Sequence, residues 1–184
     1  MTGGRRLPVV GSAAAGTPPA FGRIAVIGLG AVGGSLAMAV RAAWPQSLVI
    51  GIDTRDVVKA ATRLQAIDVG SDDLVMAAGA DLVVLAGAAE ENARALPFLA
   101  DAVTGGAVVL ALGAGAEVAE WAPALPARLP VVRGVPSVEP RGRGLEAARA
   151  DLFRARPWTL TPVSADPDTV GRVQALVRAV GGAV

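Results

Sequence analysis

From Phe21 onward the chain alternates short runs of Val, Ile and Leu with alanine-rich stretches whose apolar residues recur three and four apart. That is the pattern of strands separated by amphipathic helices. It predicts a Rossmann-type doubly wound α/β fold, in which right-handed crossovers build a mainly parallel sheet with helices on both faces. Strands are expected over Arg23–Gly28, Ser47–Asp53, Asp81–Ala86, Ala107–Leu112, Val131–Arg133 and Trp158–Thr161. Helices are expected over Ala31–Ala43, stopped by Pro45, over Asp56–Ala66, and over Asp72–Ala78 between the cap Ser71 and the stop Gly79. Four more follow: Ala89–Ala102, where Pro97 would kink or shorten the helix, Ala116–Ala122 after the turn Gly113-Ala-Gly115, Leu145–Phe153, and Pro167–Val180 begun by Asp166. Gly134–Gly144 reads as a loop, and Ala183-Val184 as the start of one more strand. Residues 1–22 read as a flexible Gly/Pro/Ala leader and residues 23–184 as one domain, with no second, helical domain expected.

Composition narrows the function classes. Hydrophobic residues make up 53% and charged residues 18%, which suits a sheet buried on both faces. The net charge of +1 and the 3% of aromatics give no basis for binding nucleic acid. There is no cysteine and no histidine, which removes thiolate metal sites and the commonest general base, and no metal site is expected. Arg5-Arg6 with the apolar stretch after it superficially suggests an export signal, but Pro8, Gly11 and Gly16 interrupt it. With no window apolar enough to span a bilayer, the expectation is a cytoplasmic protein without a membrane contact.

One segment carries chemistry. Arg23-Ile-Ala-Val-Ile-Gly28-Leu29-Gly30-Ala31-Val32-Gly33 is a strand running into a glycine-rich turn and a helix, and Asp53 ends the next strand twenty residues after Gly33. This is a dinucleotide-binding fingerprint: Gly28 allows the tight turn, Gly30 lets a pyrophosphate approach the backbone, and Gly33 lets the helix pack on the strand. The N–H groups that open the helix at Ala31 and Val32 then face the phosphates. Asp53 would accept both ribose hydroxyls and so favours NAD, whereas Arg55 could neutralise a 2′-phosphate, leaving NADP open; a solvated residue at a helix start is the plainer reading of Arg55. Trp44, Trp121 and Trp158 read as packing residues, and Asp72 and Asp73 as a helix start.

Several stretches together resemble the nucleotide-binding domain of prephenate and arogenate dehydrogenases. They are Gly28 to Ala37, Gly51-Ile-Asp53, Ala80 to Ala86, Gly144-Leu-Glu-Ala-Ala148 with Asp151-Leu-Phe153, and Pro157-Trp-Thr-Leu-Thr-Pro162. The resemblance implies NAD(P) as cofactor, with Gly87 and Gly113 beside it, and oxidative decarboxylation of prephenate or arogenate on the route to tyrosine. Where that family carries a Gly-Gly-His-Pro-Met-Ala-Gly stretch with its catalytic histidine, this chain has Arg133-Gly-Val135-Pro-Ser-Val-Glu139. Val135 therefore replaces the proton acceptor, a group typically worth about 10²–10⁴ in rate. The family's Asp-x-Gly-Ser-x-Lys turn has become Ala111 to Ala116, and its Val-Pro after the third of the expected strands has become Gly87-Ala88. Glu139 is a substitute base only if desolvation raises its pKa; a solvated acid paired with Arg141 or Arg143 is the plainer reading. Arg133, Arg141 and Arg143 could likewise hold an anionic partner or simply be solvated. The resemblance also implies a helical second domain that forms the dimer and closes the substrate site. Turnover by this chain alone is therefore expected to be weak or absent. The open possibilities are completion by a separate chain supplying the helical domain, or a non-enzymatic module that responds to dinucleotide or binds a partner.

Overall fold

The computed structural model describes residues 18–113 and 117–184. Seven strands of the described residues form one sheet: β1 (Arg23–Ile27), β2 (Leu48–Ile52), β3 (Val69–Ser71), β4 (Leu82–Leu85), β5 (Val108–Leu112), β6 (Val131–Pro136) and β7 (Trp158–Pro162). Their order is β3-β2-β1-β4-β5-β6-β7, with every pairing parallel except the last. Among the described residues five helices accompany them: α1 (Ala31–Ala43), α2 (Arg55–Arg63), α3 (Ala89–Ala102), α4 (Glu117–Trp121) and α5 (Pro167–Ala179). The doubly wound fold expected from the pattern is the one observed.

The sheet is buried on both faces. On one, α1 and α5 press Leu36, Val40, Val173, Leu176 and Val177 onto Ile24, Val26, Leu82 and Leu110. On the other, α3 and α4 contribute Leu96, Leu99 and Val118 against Val83, Val109 and Val131. The central strands β1 and β4 are therefore almost wholly apolar, as a parallel sheet covered on both sides demands. Phe153 and Trp158 fill the end beneath β7, their ring centroids 5.1 Å apart. Trp44 is also buried and Trp121 half-buried, so all three tryptophans pack as expected.

Four local expectations need correction. The segment after Ser71 is a 3₁₀ turn over Leu74–Ala77 rather than an α-helix, and its cap is Asp73, whose carboxylate accepts the Val75 N–H. Ser71 instead closes β3, a three-residue edge strand that the pattern did not reveal. Leu145–Phe153 is no helix beyond a 3₁₀ turn at Leu145–Ala147, because the buried Ser35 hydroxyl takes the Arg149 N–H that a helix would have turned inward. The strand expected to stop at Arg133 runs on to Pro136, held by β7, so Val135 lies on a strand and not on a loop.

Other differences are smaller. Helix α3 passes through Pro97 without a break because that residue is exposed and water can reach the carbonyl left without its partner. The end of the chain adds only a single parallel bridge, Pro157 to Ala183, in place of a strand. Most of the expected leader, and Ala114 to Ala116 of the turn and helix expected there, lie outside the described residues.

Candidate functional site

Strand order reverses at β1, whose neighbours are β2 and β4, and a crevice opens beyond the carboxyl ends of strands at such a switch point. Because β1 to β6 run parallel, the residues that follow each of them gather along one edge. Gly28 follows β1, Asp53 follows β2, Asp72 follows β3, Gly87 lies just past β4, and Gly113 follows β5.

The three glycines of the turn have three different surroundings. Gly28 has φ +90°, and a side chain there would meet the Gly87 backbone nitrogen at 2.4 Å, so the two loops touch. A Cβ at Gly33 would lie 2.0 Å from the Gly28 carbonyl oxygen, which fixes how close α1 comes to β1. Gly30 is the exception, since a Cβ there meets nothing within 4 Å. Gly30 is also the N-cap of α1, and being glycine it has no side chain with which to satisfy the helix end. Among the described residues, the N–H groups of Ala31 and Val32 find no acceptor, and the first turn holds no acid. An open, unfilled space therefore lies against bare helical N–H groups, a setting that suits an anion.

Asp53 is half-buried and ties β2 to the turn. Its Oδ2 accepts the Leu29 N–H at 2.7 Å and its Oδ1 the Thr54 N–H at 2.6 Å. A carboxylate offers about four lone-pair positions, so about two remain for a ligand. Leu29 itself has its side chain in the core and its N–H on Asp53, so it shapes the turn and leaves no free group for a phosphate. A cavity of about 170 Å³ lies beside this turn, lined among others by Gly28, Asp53, Thr54, Asp72, Leu74 and Glu91. A hollow of about 270 Å³ at the far end of α1, near Ala43 and Gly181, is remote from these groups.

Arg55, the other residue singled out for cofactor recognition, is bound elsewhere. Its Nε donates to Asp72 Oδ2 at 2.6 Å, and both side chains are exposed. The hydrogen bond to Arg55 holds the Asp72 carboxyl below its usual range, and the same bond raises the Arg55 guanidinium.

Gly87 is clamped by a residue the sequence did not single out. Asn92, buried on α3, accepts the Gly87 N–H at 3.2 Å and donates to the Gly87 carbonyl at 3.1 Å. Glu91 accepts the Ala88 N–H at 3.1 Å. A signal for Asn92 was present: it falls on the apolar stripe with Ala95, Leu96 and Leu99, where a polar residue needs a partner. Gly113 has φ +142° and open space around it, and its N–H donates to the Gly134 carbonyl.

The end of β6 is built differently. Val135 stands opposite Thr159 and Arg133 opposite Thr161, so these four side chains share one face. Arg133 is half-buried, with Nη2 3.4 Å from the Thr161 hydroxyl. Glu139 is exposed, and among the described residues it pairs with neither Arg141 nor Arg143, both also exposed. The pairing expected from the sequence is absent there, and so is the burial that would make Glu139 a base.

Among the described residues no three acids gather as a metal site, and no helix is long and apolar enough to cross a membrane. No curated protein matches the chain. Among solved structures it is similar to arogenate dehydrogenase from Synechocystis, with 24% identity and a TM-score of 0.78 over 87% of this chain and 57% of that one. Prephenate dehydrogenase from Aquifex aeolicus gives 24% identity and a TM-score of 0.80, over 88% of this chain and 59% of that one. The latter protein has also been seen in complex with hydroxyphenyl propionate and NAD+. This chain thus spans less than two thirds of the length of those enzymes. The sequence profile described as "Prephenate dehydrogenase, nucleotide-binding domain" matches residues 36–184, starting just after the glycine turn. With the profile covering most of its length and the fold agreeing, the chain belongs to the prephenate dehydrogenase nucleotide-binding domain family.

Proposed function

We propose that this chain binds NAD(P) through the turn at Gly28–Gly33 and is the cofactor-binding part of a prephenate/arogenate dehydrogenase-type system in the cytoplasm. The open space over Gly30, set against the uncapped start of α1, is the observation that carries this reading. In it the Ala31 and Val32 N–H groups receive the diphosphate and Asp53 accepts ribose hydroxyls. Gly113, with open space around it, leaves room toward the nicotinamide, the group that accepts hydride when the cofactor is bound, while Gly87 lets its loop lie against Gly28. A carboxylate at the ribose favours NAD over NADP.

On the same reading, oxidation of prephenate or arogenate by this chain alone is weak or absent, because Val135 cannot take up the proton released as hydride leaves. A separate chain supplying a helical domain would complete the substrate wall. Val135 where the family carries its proton acceptor also favours a second reading, a non-enzymatic module that responds to dinucleotide or binds a partner. One experiment separates them: titrate the purified chain with NAD and NADP, then add prephenate or arogenate and follow nicotinamide absorbance. Saturable binding without reduction is expected. Reduction at ordinary enzymatic rates overturns the inactivity, and absence of binding overturns the whole reading.

A further inference from the structure

We propose that Asp72 sets this domain against dinucleotides bearing a 2′-phosphate, by holding the guanidinium of Arg55 in an ion pair at the rim of the cavity beside Asp53. The inference rests on the dinucleotide reading above and adds a residue outside the glycine fingerprint.

The geometry has three parts. Asp53, at the end of β2, faces the cavity and would stand at the adenosine ribose. Arg55, two residues on at the start of α2, is a nearby cation that a 2′-phosphate could recruit. Asp72 lines the same cavity from the end of β3 and engages Arg55 through Nε at 2.6 Å. That contact uses one edge of the guanidinium and neutralises it, so a phosphate arriving there meets a cation already paired and a second carboxylate behind it. Glu91, from α3, lines the same cavity. For NAD, which presents hydroxyls there, the acids are acceptors. For NADP, they are like charges.

The exposure of the pair limits its strength and makes it reversible. Side-chain exposure is 81% for Arg55 and 45% for Asp72, so solvent screens the attraction and the pair is held by local geometry more than by burial. Replacing Asp72 therefore leaves the fold intact while releasing Arg55 to turn toward the ribose.

The test measures affinity and not turnover. NAD+ and NADP+ are titrated separately, by calorimetry, into the wild-type chain, Asp72→Asn, Arg55→Gln and the double variant, with melting temperatures recorded for each. Wild type is expected to prefer NAD+, and Asp72→Asn is expected to shift the NADP+/NAD+ affinity ratio about two- to fivefold toward NADP+. Arg55→Gln in the Asp72→Asn background removes most of that shift, leaving only the relief of direct repulsion, and added salt diminishes it. A ratio unchanged in Asp72→Asn, or a shift that survives undiminished without Arg55, overturns the proposal while NAD+ binding stands. A wild-type chain that binds neither nucleotide overturns it together with the dinucleotide reading.

Discussion

Helices α1 and α5 are each 13 residues long and pack side by side on the same face of the sheet, yet they begin in opposite ways. Helix α5 satisfies its own start: the Asp166 carboxylate accepts the Thr169 N–H at 2.7 Å, Pro167 removes one orphan donor, and Asp168 adds negative charge to the first turn. Helix α1 begins at Gly30, with no capping side chain, no acid in its first turn, and open space where a side chain would stand. A helix start that only needs to be stable looks like α5. One left bare beside a cavity, at the switch point of a parallel sheet, has the form of a place for an anion supplied from outside.

The largest expected effect comes from closing the gap between α1 and β1. Gly33→Ala places a Cβ 2.0 Å from the Gly28 carbonyl, a backbone atom that cannot move aside without shifting the turn. Denaturant unfolding should show a loss of about 3 kcal/mol, with dinucleotide binding lost alongside. Making α1 resemble α5 should act on binding alone: Gly30→Asp caps the helix with its own carboxylate, so affinity for NAD should fall about a hundredfold in a calorimetric titration while the melting temperature holds or rises.

The reverse change, Asp166→Ala, should lower the melting temperature and leave NAD affinity unaltered. Its pH dependence follows from the Thr169 N–H, which holds the Asp166 carboxyl below its ordinary range. A carboxyl lowered on folding stabilises the protein above its unfolded pKa, and that contribution disappears as pH falls through the folded value. The gap in melting temperature between wild type and Asp166→Ala should therefore be full at neutral pH and close in acid. The smallest effect is expected at the other end of the crevice, where Val135→His should leave NAD affinity within about twofold, since β6 is separated from the glycine turn.

What could be read from the sequence follows the range of the forces involved. The turn at Gly28–Gly33 was legible because its glycines stand at a fixed local spacing between a strand and a helix, with Gly28 at φ +90° and Gly33 against the Gly28 carbonyl, and Asp53 because it sits at a fixed distance from that turn. The place of Val135 on a strand was not legible, because the extension of β6 depends on antiparallel pairing with Trp158 and Thr159. The edge strand Val69–Ser71 carries too little apolar pattern to declare itself and exists through its pairing with β2. Apolar residues from Leu145 to Phe153 suggested a helix, but they are buried by a turn that Ser35 holds from more than a hundred residues away. Asp72, after β3, and Glu91, on α3, reach the cavity from separate elements, so no local spacing announces them together. Long-range packing decides such positions.

The central claim is that the bare start of α1 holds the diphosphate of a nicotinamide dinucleotide. Its most direct test is a calorimetric titration of NAD+ into the wild-type chain and into Gly30→Ala, whose added Cβ meets no protein atom within 4 Å. The account predicts saturable binding to wild type and at least about tenfold weaker binding to Gly30→Ala at an unchanged melting temperature. Equal affinity in the two proteins, or no binding to either, would contradict it.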